Sequence, residues 1–128
     1  MTFSNPEGMA PPLAHYSHTA EVPAGARWLV VSGQVGVQPD GTIAEDIAAQ
    51  SEWTWRNLLT CLQAAGMGVP DIVKVGHFLV HPADFPAYAE VRGRYLGDHK
   101  PASTLLYVQG LVKPELRVEV EVTAARMD

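Results

Sequence analysis

Cysteine is almost absent from this chain: Cys61 stands alone among 128 residues, so no intrachain disulfide can form and a reducing, cytoplasmic setting is expected. Long apolar runs are missing as well. No segment approaches the roughly 18 residues needed to span a bilayer, and Met1 to Pro12 lacks the basic and apolar regions of a secretion signal. Positive charge is scarce, with nine Lys and Arg against 14 Asp and Glu, for a formal net charge of −5. That balance weighs against nucleic acid as a partner, although Arg92, Arg94 and Lys100 form a local basic cluster in sequence. Metal-ligand spacing is lacking too: on a strand, His77 and His81 share a face but stand about 13 Å apart, too far for one ion. No metal or cofactor is expected.

What is present is a globular composition, 47% hydrophobic with a mean hydropathy of 0.00, in which 10 Pro and 11 Gly are spread as punctuation. One domain spanning 1–128 is expected, with 1–12 as a flexible arm, because that stretch holds Pro6, Gly8, Pro11 and Pro12. The strongest pattern lies near the C-terminus. From Leu116 to Ala124 apolar and polar residues alternate strictly, which predicts a central strand with one buried face. Glu119 and Glu121 then share its other face, and periodicity alone does not distinguish them.

Upstream, His15–Val22 and Arg27–Ser32 flank Ala24-Gly25 and read as a hairpin whose second strand ends at Ser32-Gly33-Gln34. Apolar residues at helical spacing predict a helix over Glu45–Ala65, stopped by Gly66, Gly68 and Pro70. Ile72–Val80 is a β-branched strand. Asp84 is the expected N-cap of a second helix running to Leu96, and Ser103–Val108 is a further strand. The order is strand, strand, helix, strand, helix, strand, strand, an α+β pattern with both helices on one face of a mixed sheet. The uncovered face then needs a second copy of the chain, which predicts a homo-oligomer.

Several separated pieces resemble the RidA/YjgF family, also described as endoribonuclease L-PSP-like: Ser32-Gly33-Gln34, Gln50, Asn57, Ala64-Ala65-Gly66, Asp71-Ile72-Val73-Lys74, Asp84-Phe85, Pro101-Ala102 and Val118-Glu119-Val120-Glu121. The resemblance runs from about Tyr16 to Ala125. It implies a chorismate-mutase-like fold and a homotrimer built around a barrel, with sites in the clefts between subunits. It also implies cofactor-independent hydrolysis of reactive enamines and imines, such as 2-aminoacrylate and 2-iminobutyrate, to 2-keto acids and ammonia. Carried over residue by residue, the water-activating glutamate falls on Glu119, a cleft tyrosine on Tyr16, and the Ser-Gly-Gln turn on Ser32, Gly33 and Gln34.

One position departs sharply. The family's Pro-Ala-Arg-Ser motif reads Pro101-Ala102-Ser103-Thr104, so Ser103 stands where an arginine grips the substrate carboxylate. Losing a charge-assisted hydrogen bond costs about 1.5–3 kcal/mol, and a hydroxyl has one donor where guanidinium has five. Ala89 and His18 depart as well, and Gly97–Lys100 is shortened. A divergent subgroup is expected, acting on a small carbonyl-derived compound other than the family's usual substrates; the alternatives are a non-catalytic trimeric ligand-binding protein and, third, an endoribonuclease.

Each site residue has a plainer reading. Glu119 is either a general base or a carboxylate bonded to Arg117 or a cross-strand partner; Ser103 is a substrate contact or an ordinary strand residue, and a Ser103–His99 pair lacks the nucleophile elbow. Arg92 and Arg94 are substitute anion contacts or a solvated helix face. His15 and His18 line a cleft or sit in a loop, His77 and His81 are structural or surface residues, and Cys61 is helix packing.

Overall fold

Alternation in the C-terminal segment becomes burial in the computed structural model, which describes residues 1–128: Val118, Val120, Val122 and Ala124 are buried and Glu121 is exposed. The strands are β1 (Thr2–Ser4), β2 (Thr19–Glu21), β3 (Arg27–Val35), β4 (Ile72–Leu79), β5 (Ala102–Tyr107) and β6 (Val118–Arg126). Helices α1 (Ile47–Ala64) and α2 (Phe85–Leu96) complete the fold. The main sheet has the order β3-β6-β4-β5, with β4 and β5 parallel and the other pairs antiparallel. β6 is thus central, and two helices on a mixed sheet make the architecture α+β.

The helices end where local chemistry ends them. Asp46 accepts from the Ala49 N–H at 2.8 Å to cap α1. At its far end Gly66, with φ 70°, lets its own N–H reach Gln63 O and that of Met67 reach Leu62 O, both at 2.9 Å. Trp55, Leu58 and Leu62 of α1 and Tyr88, Val91 and Leu96 of α2 then pack with Val75, Leu79, Val118, Val120 and Val122 in one core. Trp55 is fully buried and stacks on Tyr95, whose hydroxyl donates to Glu52 at 2.5 Å and ties the helices together.

Three expectations change. The segment before Val22 does not form a hairpin with β3. β2 pairs with β1, held by the Ser4 and Thr19 hydroxyls 2.7 Å apart, while Ser17 bridges in parallel to Ala102 and donates its N–H to Pro101 O at 3.1 Å. The chain does turn at Ala24-Gly25, where the Ala26 N–H donates to Pro23 O at 3.4 Å, but β2 takes a distant partner, and part of the N-terminal arm is a strand. Nor does β3 stop at Ser32; it runs on to Val35 through a bulge, where Val31 pairs with Val122 and Gln34 with Val120. Asp84 does precede α2, but its carboxylate makes no cap. It accepts instead from Arg117 Nε at 2.9 Å and Nη2 at 2.5 Å.

Candidate active site on the open sheet face and its β5 edge

Strand period two sends Glu119, Glu121 and Thr123 to the face of β6 that no helix covers. Glu119 pairs with Phe78 and Val35, and Glu121 with Gly76. Both carboxylates lie over glycine. A methyl group built on Gly33 would come 1.9 Å from Glu119 Oε2, and one on Gly76 would come 3.1 Å from Glu121 Oε1. The bulge thus brings a backbone without a side chain beneath the half-buried Glu119, which is the local reason for glycine at 33. Ser32 is exposed beside it, and the Gln34 amide donates to Ser32 O at 3.2 Å.

Neither carboxylate has a hydrogen-bond or ion-pair partner. The structural alternative for Glu119 needed Arg117 or a cross-strand partner; Arg117 is committed to the buried Asp84, and the residues paired across from Glu119, Val35 and Phe78, are apolar. Glu121 borders a depression of ≈ 160 Å³ with Val30, Lys74, Gly76 and Thr123, a feature that periodicity did not single out.

The other expected residues lie elsewhere. Ser103 pairs with the core residue Val75, so it is on the helix-covered face, opposite Glu119. Its rung on β6 is Val122, three residues from Glu119, which is about 10 Å along the strand and two strand spacings across. Tyr16 is half-buried, edge-on to His18 at 5.8 Å, and its chain neighbour Ser17 meets the start of β5. Glu119, Ser32, Gly33 and Gln34 are therefore assembled at β3–β6, and Tyr16 and Ser103 at β5. One chain does not bring the two groups together.

At the β5 edge the structure holds a histidine that sequence reasoning assigned no site role. His77 Nε2 lies 3.0 Å from Ser103 Oγ, and Nδ1 is hydrogen-bonded to the Tyr88 hydroxyl. His77 is 1% exposed and Tyr88 0%. Burial above all, and then the charges of Arg92 and Lys74, push the imidazole down to about 3, so it is neutral at pH 7. Burial also holds the Tyr88 phenol above its ordinary range, against the opposing influence of Trp55 and Arg92. The parallel register of β4 and β5 was the missing signal, since it places Ser103 beside His77. His99, the histidine near Ser103 in sequence, bonds Ile72 O at 2.7 Å instead.

Arg94 faces Glu52 at 3.4 Å, whereas Arg92 has no carboxylate partner and leans over the rings of Phe85 and Tyr88, 5.5 and 5.9 Å from their centres. His18 bonds Ala10 O at 2.9 Å and His15 Nε2 is buried without a partner. No group of three or more His, Cys, Asp or Glu is arranged to hold a metal ion. No helix is long and apolar enough to cross a membrane.

The family model described as Endoribonuclease L-PSP matches residues 7–126. The chain belongs to the RidA/YjgF family. Within that family it is similar to a RutC family protein of Pyrococcus horikoshii, 33% identical over 120 residues that cover 92% of each chain. It also matches the 2-iminobutanoate/2-iminopropanoate deaminase of Salmonella typhimurium, at 32% identity over 102 residues, 77% of this chain and 79% of that one. A crystal structure of a conserved Rid family protein from Yersinia pestis superposes with a TM-score of 0.86 at 33% identity, covering 98% of both chains. The RidA/YjgF family match at residues 7–126 spans β2 to β6 together with Tyr16.

Proposed function

We propose that the protein is a cofactor-independent hydrolytic deaminase acting on a small enamine, imine or related carbonyl-derived compound. The observation that supports this most is the unpartnered Glu119 carboxylate held over Gly33 on the open face. A carboxylate with free lone pairs can accept a proton from water as it attacks an imine carbon, and a glycine floor leaves room for water and substrate above it. The names of two relatives, a 2-iminobutanoate/2-iminopropanoate deaminase and a 3-aminoacrylate deaminase, support the same class of reaction. Ser103 in place of the family's arginine argues for a substrate other than 2-aminoacrylate or 2-iminobutyrate, one whose binding relies less on a carboxylate clamp.

The site is completed, in this reading, by a homotrimer in which the β5 edge of one subunit meets the β3–β6 region of another. Supporting it are the outer edge of β3, which has no strand partner, and exposed Trp28, Val30, Leu106 and Tyr107. A single cysteine is consistent with a cytoplasmic setting. A second reading, a trimeric ligand-binding protein without catalysis, is favoured by the same serine. The endoribonuclease reading is opposed by the two carboxylates on the open face and the net charge of −5.

The test is hydrolysis of imines generated in situ by an L-amino-acid oxidase, comparing wild type with Glu119→Gln. Turnover by wild type and its loss in the variant supports the deaminase. Wild-type inactivity across imino acids, with small carbonyl compounds still bound, supports the second reading. Light scattering that gives a monomer at micromolar concentration overturns the shared-cleft arrangement.

A further inference from the structure

The Ser103–His77–Tyr88 chain has the outline of a hydroxyl activated by an imidazole, but counting its protons assigns it the reverse polarity. Tyr88 is fully buried and must place its single O–H proton; the acceptor available to it is His77 Nδ1. A neutral imidazole that accepts at Nδ1 carries its own proton on Nε2. That nitrogen is 3.0 Å from Ser103 Oγ, so it donates to the serine oxygen. The opposite tautomer strands the Tyr88 proton in the core without an acceptor, a disadvantage of about 10- to 100-fold in population. With Nε2 already protonated, His77 cannot take a proton from Ser103. The serine proton is free to point away from the histidine. Ser103 is partly exposed on β5, which has a strand partner on only one side.

We propose that buried Tyr88 and His77 are positioning residues that hold Ser103 as an outward hydrogen-bond donor to an acceptor oxygen, carbonyl or carboxylate, of the substrate. This rests on the reading above that the β5 edge lines the cleft. It gives the Arg-to-Ser change a chemical consequence: a charged fork is replaced by one neutral, polarised donor backed by two residues from β4 and α2. The same polarity denies Ser103 the role of a nucleophile.

The experiment has two arms. Long-range proton–nitrogen correlation spectra of uniformly 15N-labelled protein read the His77 tautomer directly, with no need for substrate. The expected result is a neutral ring protonated on Nε2, with that preference lost in Tyr88→Phe; a wild-type ring protonated on Nδ1, or a tautomer unmoved by Tyr88→Phe, overturns the inference. In the second arm, imines made in situ by an L-amino-acid oxidase from a panel of aliphatic, aromatic and basic amino acids are the probes. Ser103→Ala and Tyr88→Phe should each raise KM about 2- to 10-fold with kcat nearly unchanged, and the double variant should be no worse than the single ones. Additive losses, or a burst of covalent adduct on Ser103, contradict a shared donor. Failure of wild type to turn over any imine of the panel counts against the deaminase reading, while the tautomer still decides the polarity of the relay.

Discussion

The two faces of one sheet treat their polar groups in opposite ways. Under the helices, Ser51 Oγ, Thr54 Oγ1 and Trp55 Nε1 are buried without partners, but the titratable groups and the amide are held: His77 is bonded at both ring nitrogens, Gln50 donates to Ala44 O and Glu115 O and accepts from the Arg117 N–H, and Asp84 is locked to Arg117. On the open face Glu119 and Glu121 have no partners and rest on glycines. Buried polar groups need partners because desolvation without them is costly, so the covered face reads as structure. Carboxylates left free beside a bulge contribute no such tie, and the proposed function assigns them to a ligand. Ser103 belongs to the covered face by direction but lies on the edge strand of the sheet.

The contrast predicts different failures on the two sides. The largest effect is expected from Arg117→Met, which leaves Asp84 buried without its cation and should cost about 3–5 kcal/mol of folding stability, measured by urea unfolding. Glu119→Gln should leave that unfolding curve in place and lower imine turnover by about 100-fold or more; loss of stability there instead would erase the distinction between the faces. Gly33→Ala probes the floor alone. Its methyl must push the flexible end of Glu119 aside, so turnover should fall about 10- to 100-fold while stability changes by about 1 kcal/mol or less.

A last effect is graded with pH. His77 has a folded value of about 3 and an ordinary value of 6.5, so below 6.5 the unfolded state binds the proton that the folded state refuses. Stability is therefore undiminished above pH 6.5 and falls by up to about 1.4 kcal/mol per pH unit as the pH drops toward 3. His77→Gln should remove this slope between pH 6.5 and 5. A variant that keeps the slope would locate the titrating group elsewhere.

Much of the fold was legible because it rests on period and punctuation. Alternation along Val118–Ala124 placed the buried valines on one face, and the Gly66–Pro70 segment marked the end of α1. The exceptions have a common cause. β2 chose β1 over β3, Asp84 chose Arg117 over its own helix, and β3 continued through a bulge at Ser32-Gly33. In each, a contact distant in sequence overrode a sound local signal, and a local signal carries no information about distant partners.

The candidate site divides in the same way. Sequence by itself determined that Glu119 and Glu121 point away from the core and that a serine follows Pro101-Ala102, because strand period and residue identity are properties of the chain. Only the tertiary structure decided that Arg117 is unavailable to Glu119, that Gly33 lies beneath that carboxylate, and that Ser103 meets His77 rather than His99. Those facts depend on strand register and on the bulge, which are settled when β3, β4, β5 and β6 pack under the helices.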